Sequence, residues 1–259
     1  MALASRTSPR APRPSIDLDV IATARLSPQL MRVTLGGAGF AAFEDRPETD
    51  KYVKIAFTDP DGHQVTRTYT VRSVDADAGT MDVDFVVHGD EGLAGPWAAS
   101  AEPGATISLF GPGGGYAPNA DADWYLFVGD LSALPAISAA LEALPADAAG
   151  VTILEVESED AILDLQAPEG IEQRWIIDPA HDTDRLADAV RQLAWRDGRV
   201  DVFAHGERES MKALRRSLFD ERGLERAQVS LSGYWARGRT EDRFQAEKRE
   251  PIGQIFPTA

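Results

Sequence analysis

The sequence predicts two halves of different class: an antiparallel β sandwich or barrel, then a parallel α/β domain. Three observations predict it. The first half is a series of short β-rich runs separated by Gly, Pro and Asp clusters. The second half alternates apolar runs with helical segments. A glycine-rich stretch, Gly111 to Gly115, separates them, which places the boundary near residues 112–122.

The β-rich runs cover residues 17–26, 30–35, 52–58, 65–71, 80–87 and 106–110. Clusters such as Gly36-Gly37, Asp59-Pro60-Asp61-Gly62 and Pro103-Gly104 supply the turns between them. Residues 111–115 read as a turn that breaks the chain. Residues 124–128 are continuously apolar, the mark of a strand covered on both faces. Strands follow at 151–156, 174–177, 200–204 and 229–231, with helices at 133–144, 185–194 and 210–222. The expected division is a disordered leader at 1–14, a β domain at 15–118, an α/β domain at 119–239 and a tail at 240–259. The tail is charged and then apolar, and its pattern assigns no element.

Composition removes several function classes. The net charge of −16 opposes a nucleic-acid partner and an anionic membrane surface. The chain has no cysteine, so disulfides, thiolate catalysis and Cys-ligated metal sites are absent. Its 259 residues bury a sizeable core without such staples. No apolar run is long enough to span a bilayer, and the Arg- and Pro-containing start lacks the apolar stretch of a secretory signal. The expected location is the cytoplasm. His63, His88, His181 and His205 show no metal-ligand spacing.

Four segments carry chemistry. The first is Arg67-Thr68-Tyr69-Thr70-Val71-Arg72. A flavin needs a flat partner for its ring, a hydrogen bond near its reactive nitrogen and cations for its pyrophosphate. Tyr, Thr and Arg supply these. Taken alone, the stretch also describes a half-exposed strand with solvated arginines. Strict alternation would put Tyr69 and Thr70 on opposite faces, so a flavin would have to wrap a strand end or meet a twist.

The second segment runs from Asp84 through His88 and Gly89 to Gly95-Pro96-Trp97. A strand ends there and a small-residue turn enters a short helix, whose free amides favour an anion. The third is Val128-Gly129-Asp130-Leu131-Ser132, followed by Pro135. It lies at the carboxyl end of an apolar strand, where α/β sheets bind ligands. Ser132 is equally placed to cap the next helix. The fourth is Gly233-Tyr234-Trp235-Ala236-Arg237-Gly238-Arg239. Its aromatics suit stacking on a ring and its arginines suit anions. Each of the four segments also has an ordinary structural reading.

In this order and spacing the four segments resemble the siderophore-interacting proteins, flavin-dependent ferric-siderophore reductases of the ferredoxin–NADP reductase superfamily. The resemblance runs from about Ile16 to Arg239. It implies an antiparallel Greek-key β-barrel that binds FAD, followed by a parallel-sheet α/β nucleotide-binding domain for NAD(P)H. By matching motifs, Arg67, Tyr69, Thr70 and Arg72 would grip FAD, with Tyr69 on the ring. His88 would reach its phosphate or ribose, and Gly95 to Trp97 would shape the pyrophosphate turn. Asp130 and Ser132 would face the flavin edge and the nicotinamide path. Tyr234, Trp235 and Arg237 would lie near the nicotinamide side or the substrate rim.

The match departs from the family at two places. Leu131 and Ser132 stand where the family has Glu and Thr. His205 interrupts a family Ala-Gly-Glu, here Ala204-His205-Gly206-Glu207. Through the resemblance, the expected activity passes electrons from NAD(P)H through FAD to a ferric siderophore, with no protein acid, base or nucleophile. An anionic siderophore needs a cationic rim on so acidic a chain; Lys54, Arg237 and Arg239 are the candidates. Glu155, Glu157, Glu159 and Asp160 around the end of the second parallel strand favour NADH. Two alternatives stay open: another flavoprotein reductase of the superfamily, and a non-enzymatic carrier of ferric siderophore. The oligomeric state is not encoded in any of these patterns.

Overall fold

The computed structural model describes residues 14–87 and 92–256. The expected leader at 1–14 falls almost wholly outside these residues, and so does His88. The first half is a closed six-stranded antiparallel barrel. Its strands are β1 (Ile16–Ser27), β2 (Leu30–Gly36), β3 (Tyr52–Thr58), β4 (Gln64–Asp75), β5 (Thr80–Val86) and β6 (Thr106–Gly113). The order β1-β2-β5-β4-β3-β6 is a Greek key closed by β1 against β6. Closure removes the free edges that an open sheet would expose.

Alternation builds the barrel core. Leu18 and Val20 on β1, Val53 and Ile55 on β3, and Val83 and Phe85 on β5 point inward and are fully buried. A short helix, α1 (Ala94–Ser100), plugs this core with Ala94 and Ala98. Trp97 on α1 meets Phe57 at 5.8 Å and Phe85 at 5.5 Å between ring centroids.

The glycine run does not break the chain at residue 111. β6 continues through Gly113, which pairs with Tyr52 on β3. A Cβ at Gly113 would stand 2.5 Å from the Tyr52 ring, so glycine here makes room for an aromatic rather than for a turn.

The second half is a five-stranded parallel sheet. It contains β7 (Trp124–Gly129), β8 (Ala149–Val156), β9 (Gly170–Ile177), β10 (Val200–Glu207) and β11 (Val229–Trp235), in the order β11-β10-β7-β8-β9. The chain winds outward from β7 to one edge, then returns past it to the other. The carboxyl end of β7 is therefore the topological switch point, where such sheets open a crevice for ligands. β7 is buried at every position, as the apolar run 124–128 predicts, and so is β10.

Helices α2 (Leu134–Ala143), α3 (Arg185–Arg191) and α4 (Arg208–Arg215) link these strands, and α4 continues as a π-helical turn over Arg216–Glu221. β9 begins four residues before the expected 174, and β11 runs on past the expected 231 to Trp235. The tail forms a further helix, α5 (Glu241–Glu247), capped by Thr240, whose hydroxyl accepts from the Arg243 amide at 3.3 Å. Among the described residues, no helix is long and apolar enough to cross a membrane.

The Phe85 side chain joins the barrel core to Tyr69, whose ring centroid lies 4.4 Å away. Phe85→Ala is expected to destabilise the protein by about 3–5 kcal/mol, read as a lower denaturant midpoint.

Candidate functional site

A cavity of about 720 Å³ lies between the barrel and the carboxyl edge of the parallel sheet. Its size falls within the range of about 300–1,000 Å³ usual for ligand sites. The barrel contributes Tyr52, Lys54, Tyr69 and Thr70; the sheet edge contributes Asp130, Glu155, His205 and Trp235. Glu241, Gln245 and Lys248 of the tail segment close it from one side.

Tyr69 and Thr70 both line this cavity although they are neighbours on β4. The pairing of β4 with β5 slips between Val71 and Ser73, so the strand departs from strict alternation just there. Thr70 is buried and Tyr69 is half-buried. Burial, with the charge of Glu241 nearby, drives the Tyr69 hydroxyl far above its ordinary value, so it stays neutral. Tyr234, on β11, reaches the Thr70 side chain from the sheet, and burial keeps its hydroxyl neutral too.

Asp130 organises the sheet edge. Its carboxylate accepts from the Ser132 amide at 2.9 Å, the Ser132 hydroxyl at 2.5 Å, the Glu207 amide at 2.8 Å and the Trp235 indole N–H at 2.8 Å. Gly206 permits this approach: at φ 154° it has no side chain, and a Cβ would meet Asp130 Oδ2 at 2.7 Å. Ser132 donates its hydroxyl to Asp130 and lies one residue before the N-cap position, Ala133, so it does not cap α2; the helix has no side-chain cap.

The other expected residues divide into three groups. Arg67 and Arg72 flank the cavity in ion pairs. Arg67 pairs with Asp242 on α5, at 3.0 Å, and Arg72 pairs with Glu142 on α2. Gly95 and Trp97 lie on α1 outside the cavity lining, with Trp97 packed against the barrel core. Lys54 lines the cavity, whereas Arg237 and Arg239 do not. The Arg237 guanidinium stands 5.9 Å from the Trp235 ring centre, and Arg239 is tied to Glu247 at 2.8 Å.

His205 occupies the floor and is only 4% exposed. It stacks on Phe203 at 3.9 Å, meets Tyr234 edge-on at 4.9 Å, and shares a hydrogen bond of 2.9 Å between Nε2 and Ser230 Oγ. Burial and the charge of Lys248 push its imidazole down to about 3, so it is neutral. His205 Nδ1 and Glu155 Oε2 are two sealed polar atoms without a partner among the described residues, and both residues line this cavity. Buried polar atoms are nearly always satisfied, so this wall has the character of a surface built to meet a polar ligand.

The tail residues were not legible as site residues. Lys248 faces Lys54, and desolvation together with that like charge lowers its ammonium below the usual lysine value. Thr240 followed by Glu241 and Asp242 is a helix-start pattern that points to α5. Nothing local points to its position over the cleft. Away from the cleft, the β3–β4 hairpin brings Asp59, Asp61 and His63 within 4.8 Å of one another, although their spacing suggested no such group. Asp59 Oδ1 there accepts the Asp61 and His63 amides, which closes the turn.

A buried carboxylate locks α5 in place. Glu247 is fully buried and accepts from Arg208 on α4 at 2.7 Å, and from Arg239 and Arg243 at 2.8 Å each. Its pKa is held well below the usual glutamate value by the Arg208 hydrogen bond first and then by Arg243.

Comparison with known proteins places these features in a class. The description siderophore-interacting FAD-binding domain matches residues 19–65 and 58–116, and the description siderophore-interacting protein matches residues 122–238. The ferric vibriobactin reductase ViuB of Vibrio cholerae is 34% identical over 260 residues, covering 92% of this chain and 96% of ViuB. An uncharacterized protein of Mycobacterium tuberculosis is 43% identical over 273 residues, covering 93% of this chain and 96% of its own. The crystal structure of a siderophore utilization protein from T. fusca superposes with a TM-score of 0.80 at 36% identity, covering 88% of this chain and 95% of that one. The chain belongs to the siderophore-interacting protein family, and its barrel is the FAD-binding domain of that family.

The Glu247 lock has a pH signature. Because the carboxyl is lowered in the folded state, its stabilisation is present above pH 4.5 and is lost as pH falls towards about 2. Glu247→Gln is expected to remove that acid dependence and expose α5. Limited proteolysis should then cut within residues 237–248 while the barrel stays intact, and Tm should drop by several degrees.

Proposed function

We propose that the protein is a reductase that carries electrons from a nicotinamide dinucleotide through FAD to the iron of a ferric siderophore, releasing ferrous iron. The observation that carries this reading is the cavity between the β4 strand end at Tyr69–Thr70 and the sheet switch point at Asp130. Its walls suit a flat ring. Tyr69 and Tyr234 supply neutral aromatic faces, Thr70 a hydroxyl and Trp235 a fixed indole.

When bound, the flavin supplies the conversion between the paired electrons of a nicotinamide and the single electrons that ferric iron accepts. The chain's own residues do the rest. Tyr69, backed by Phe85, sets the plane of the ring site. Arg67 and Arg72 are the cations for the pyrophosphate, and their present partners, Asp242 and Glu142, are carboxylates that a phosphate replaces. Asp130 holds Trp235 rigidly at the floor. Helix α5 keeps water from one side of the cleft. One NADH supplies two electrons, so two ferric ions are reduced in succession and a proton is released.

The ribose end of the dinucleotide path runs over the carboxyl ends of β8 and β9, past Glu157 and His181. Glu157 is engaged by Gln29 of the barrel and by His181 at 3.2 Å. Acids here favour the free ribose hydroxyls of NADH and oppose the extra phosphate of NADPH. Steady-state rates with the two donors are expected to favour NADH at least tenfold, and a preference for NADPH would reverse this assignment.

The siderophore enters where the cleft carries unpaired positive charge. Lys54 and Lys248 line it, and among the described residues neither forms an ion pair within 4.0 Å. Arg239 is committed to Glu247, so the rim is lysine-based, with Arg237 beside it. The decisive test is anaerobic. Flavin-loaded protein should bleach on NADH addition and recolour on addition of a ferric chelate, with ferrous ion trapped by a ferrous-specific dye. A protein that binds the chelate but leaves it ferric would be a carrier. Replacing Lys54 and Lys248 together by Ala is expected to raise KM for an anionic ferric chelate about tenfold while leaving KM for NADH unchanged.

A further inference from the structure

Glu155 stands at the carboxyl end of β8, beside the switch point. Four groups act on it electrostatically besides its own burial: Asp130 on the turn after β7, Asp178 and Asp182 beyond β9, and Arg237 after β11. Three are acids and only Arg237 is a cation. None of the acids offers it a proton bond. Asp130 is filled by its four donors. Asp178 takes the Ala180 amide on one oxygen and the Asp182 amide on the other, at 3.1 and 2.5 Å. Glu155 Oε2 is left sealed from solvent with no partner among the described residues.

We propose that Glu155, as an uncharged carboxylic acid, is the residue that binds the carboxamide of the nicotinamide ring. This rests on the dinucleotide reading above. Burial first, and then the charge of Asp130, push the carboxyl up to about 7, so the acid form is well populated at neutral pH. A neutral carboxyl offers one O–H donor and one carbonyl acceptor. A primary carboxamide offers one carbonyl acceptor and N–H donors. The two match in a cyclic pair of hydrogen bonds. An ionised carboxylate only accepts, so it leaves the amide carbonyl facing a negative charge. Position fits the ring end of the dinucleotide: Glu155 neighbours Asp130, which holds Trp235, and Tyr234 reaches Thr70 on the barrel from the same edge. Glu157 and His181, tied to each other, also line the cavity and are left for the ribose and phosphate.

The test uses FAD-loaded protein and calorimetric binding of NAD⁺, which does not reduce or oxidise the resting flavin. Wild-type affinity is expected to be constant at low pH and to fall about tenfold as pH rises through 7, when the donor is lost. Glu155→Gln keeps a donor and an acceptor, so it should bind within about twofold of the low-pH wild type at every pH. Glu155→Ala should bind weakly throughout. ADP-ribose, which lacks the nicotinamide, should bind all three proteins equally and without this pH dependence. A second reading needs no ligand. A carboxyl raised in the folded state is stabilising below pH 4.5, and that contribution is lost as pH rises through about 7. Glu155→Gln should therefore melt higher than wild type at pH 8 and match it at pH 5. Parallel pH profiles for wild type and Glu155→Gln, or loss of ADP-ribose affinity in Glu155→Ala, would overturn the assignment while leaving the dinucleotide site standing. Failure of the wild type to bind NAD⁺ at any pH would overturn both.

Discussion

The Asp130 carboxylate is the constraint on which the rest of the cleft depends. It follows β7 at the one place where the parallel sheet reverses its winding, and it gathers donors from its own turn and from the ends of β10 and β11. A carboxylate with four donors is fixed in position, because moving it would strand several buried N–H groups at once. Through Trp235 it fixes the aromatic floor, and its charge adds to burial, the larger cause, in raising the Glu155 carboxyl. One residue therefore couples the shape of the cleft to its electrostatics.

Much of the fold was legible in the sequence because burial leaves a period behind. Alternation at β3 and β5 and the unbroken apolar run of β7 mark half-covered and fully covered strands, and both occur as expected. The order of elements then allowed few topologies. What misled was local chemistry with two uses. Glycines at 111–115 suit a turn, yet Gly113 serves an extended strand by yielding space to Tyr52. Ser132 suits a cap, yet Ala133 takes the N-cap position of α2 and the serine hydroxyl donates to Asp130.

The cleft was legible as a set of segments but not as a set of bonds. Tyr69, Thr70, Asp130 and Trp235, from three of the four segments, line one cavity, whereas Gly95 and Trp97 of the remaining segment do not. Their roles separate only in three dimensions. The bond from Trp235 to Asp130 spans 105 residues, and the pair from Arg67 to Asp242 spans 175. No periodicity reports such a contact. Lys248 was invisible for the same reason, since a charged tail reads as solvated until it is seen to fold back.

Helix α5 touches both halves of the molecule. Near its start, Glu241 and Asp242 meet Thr68 and Arg67 of the barrel; at its end, Glu247 is gripped by Arg208 of the α/β half. A helix of seven residues is short and stiff, and held at both ends it behaves as a strut. Rocking of one half against the other has to stretch the barrel contacts or pull the Glu247 carboxylate away from the Arg208 guanidinium. The gap between the halves is in this way kept at a set width. Groups held on the two faces of the cleft meet across a gauge that the protein itself maintains.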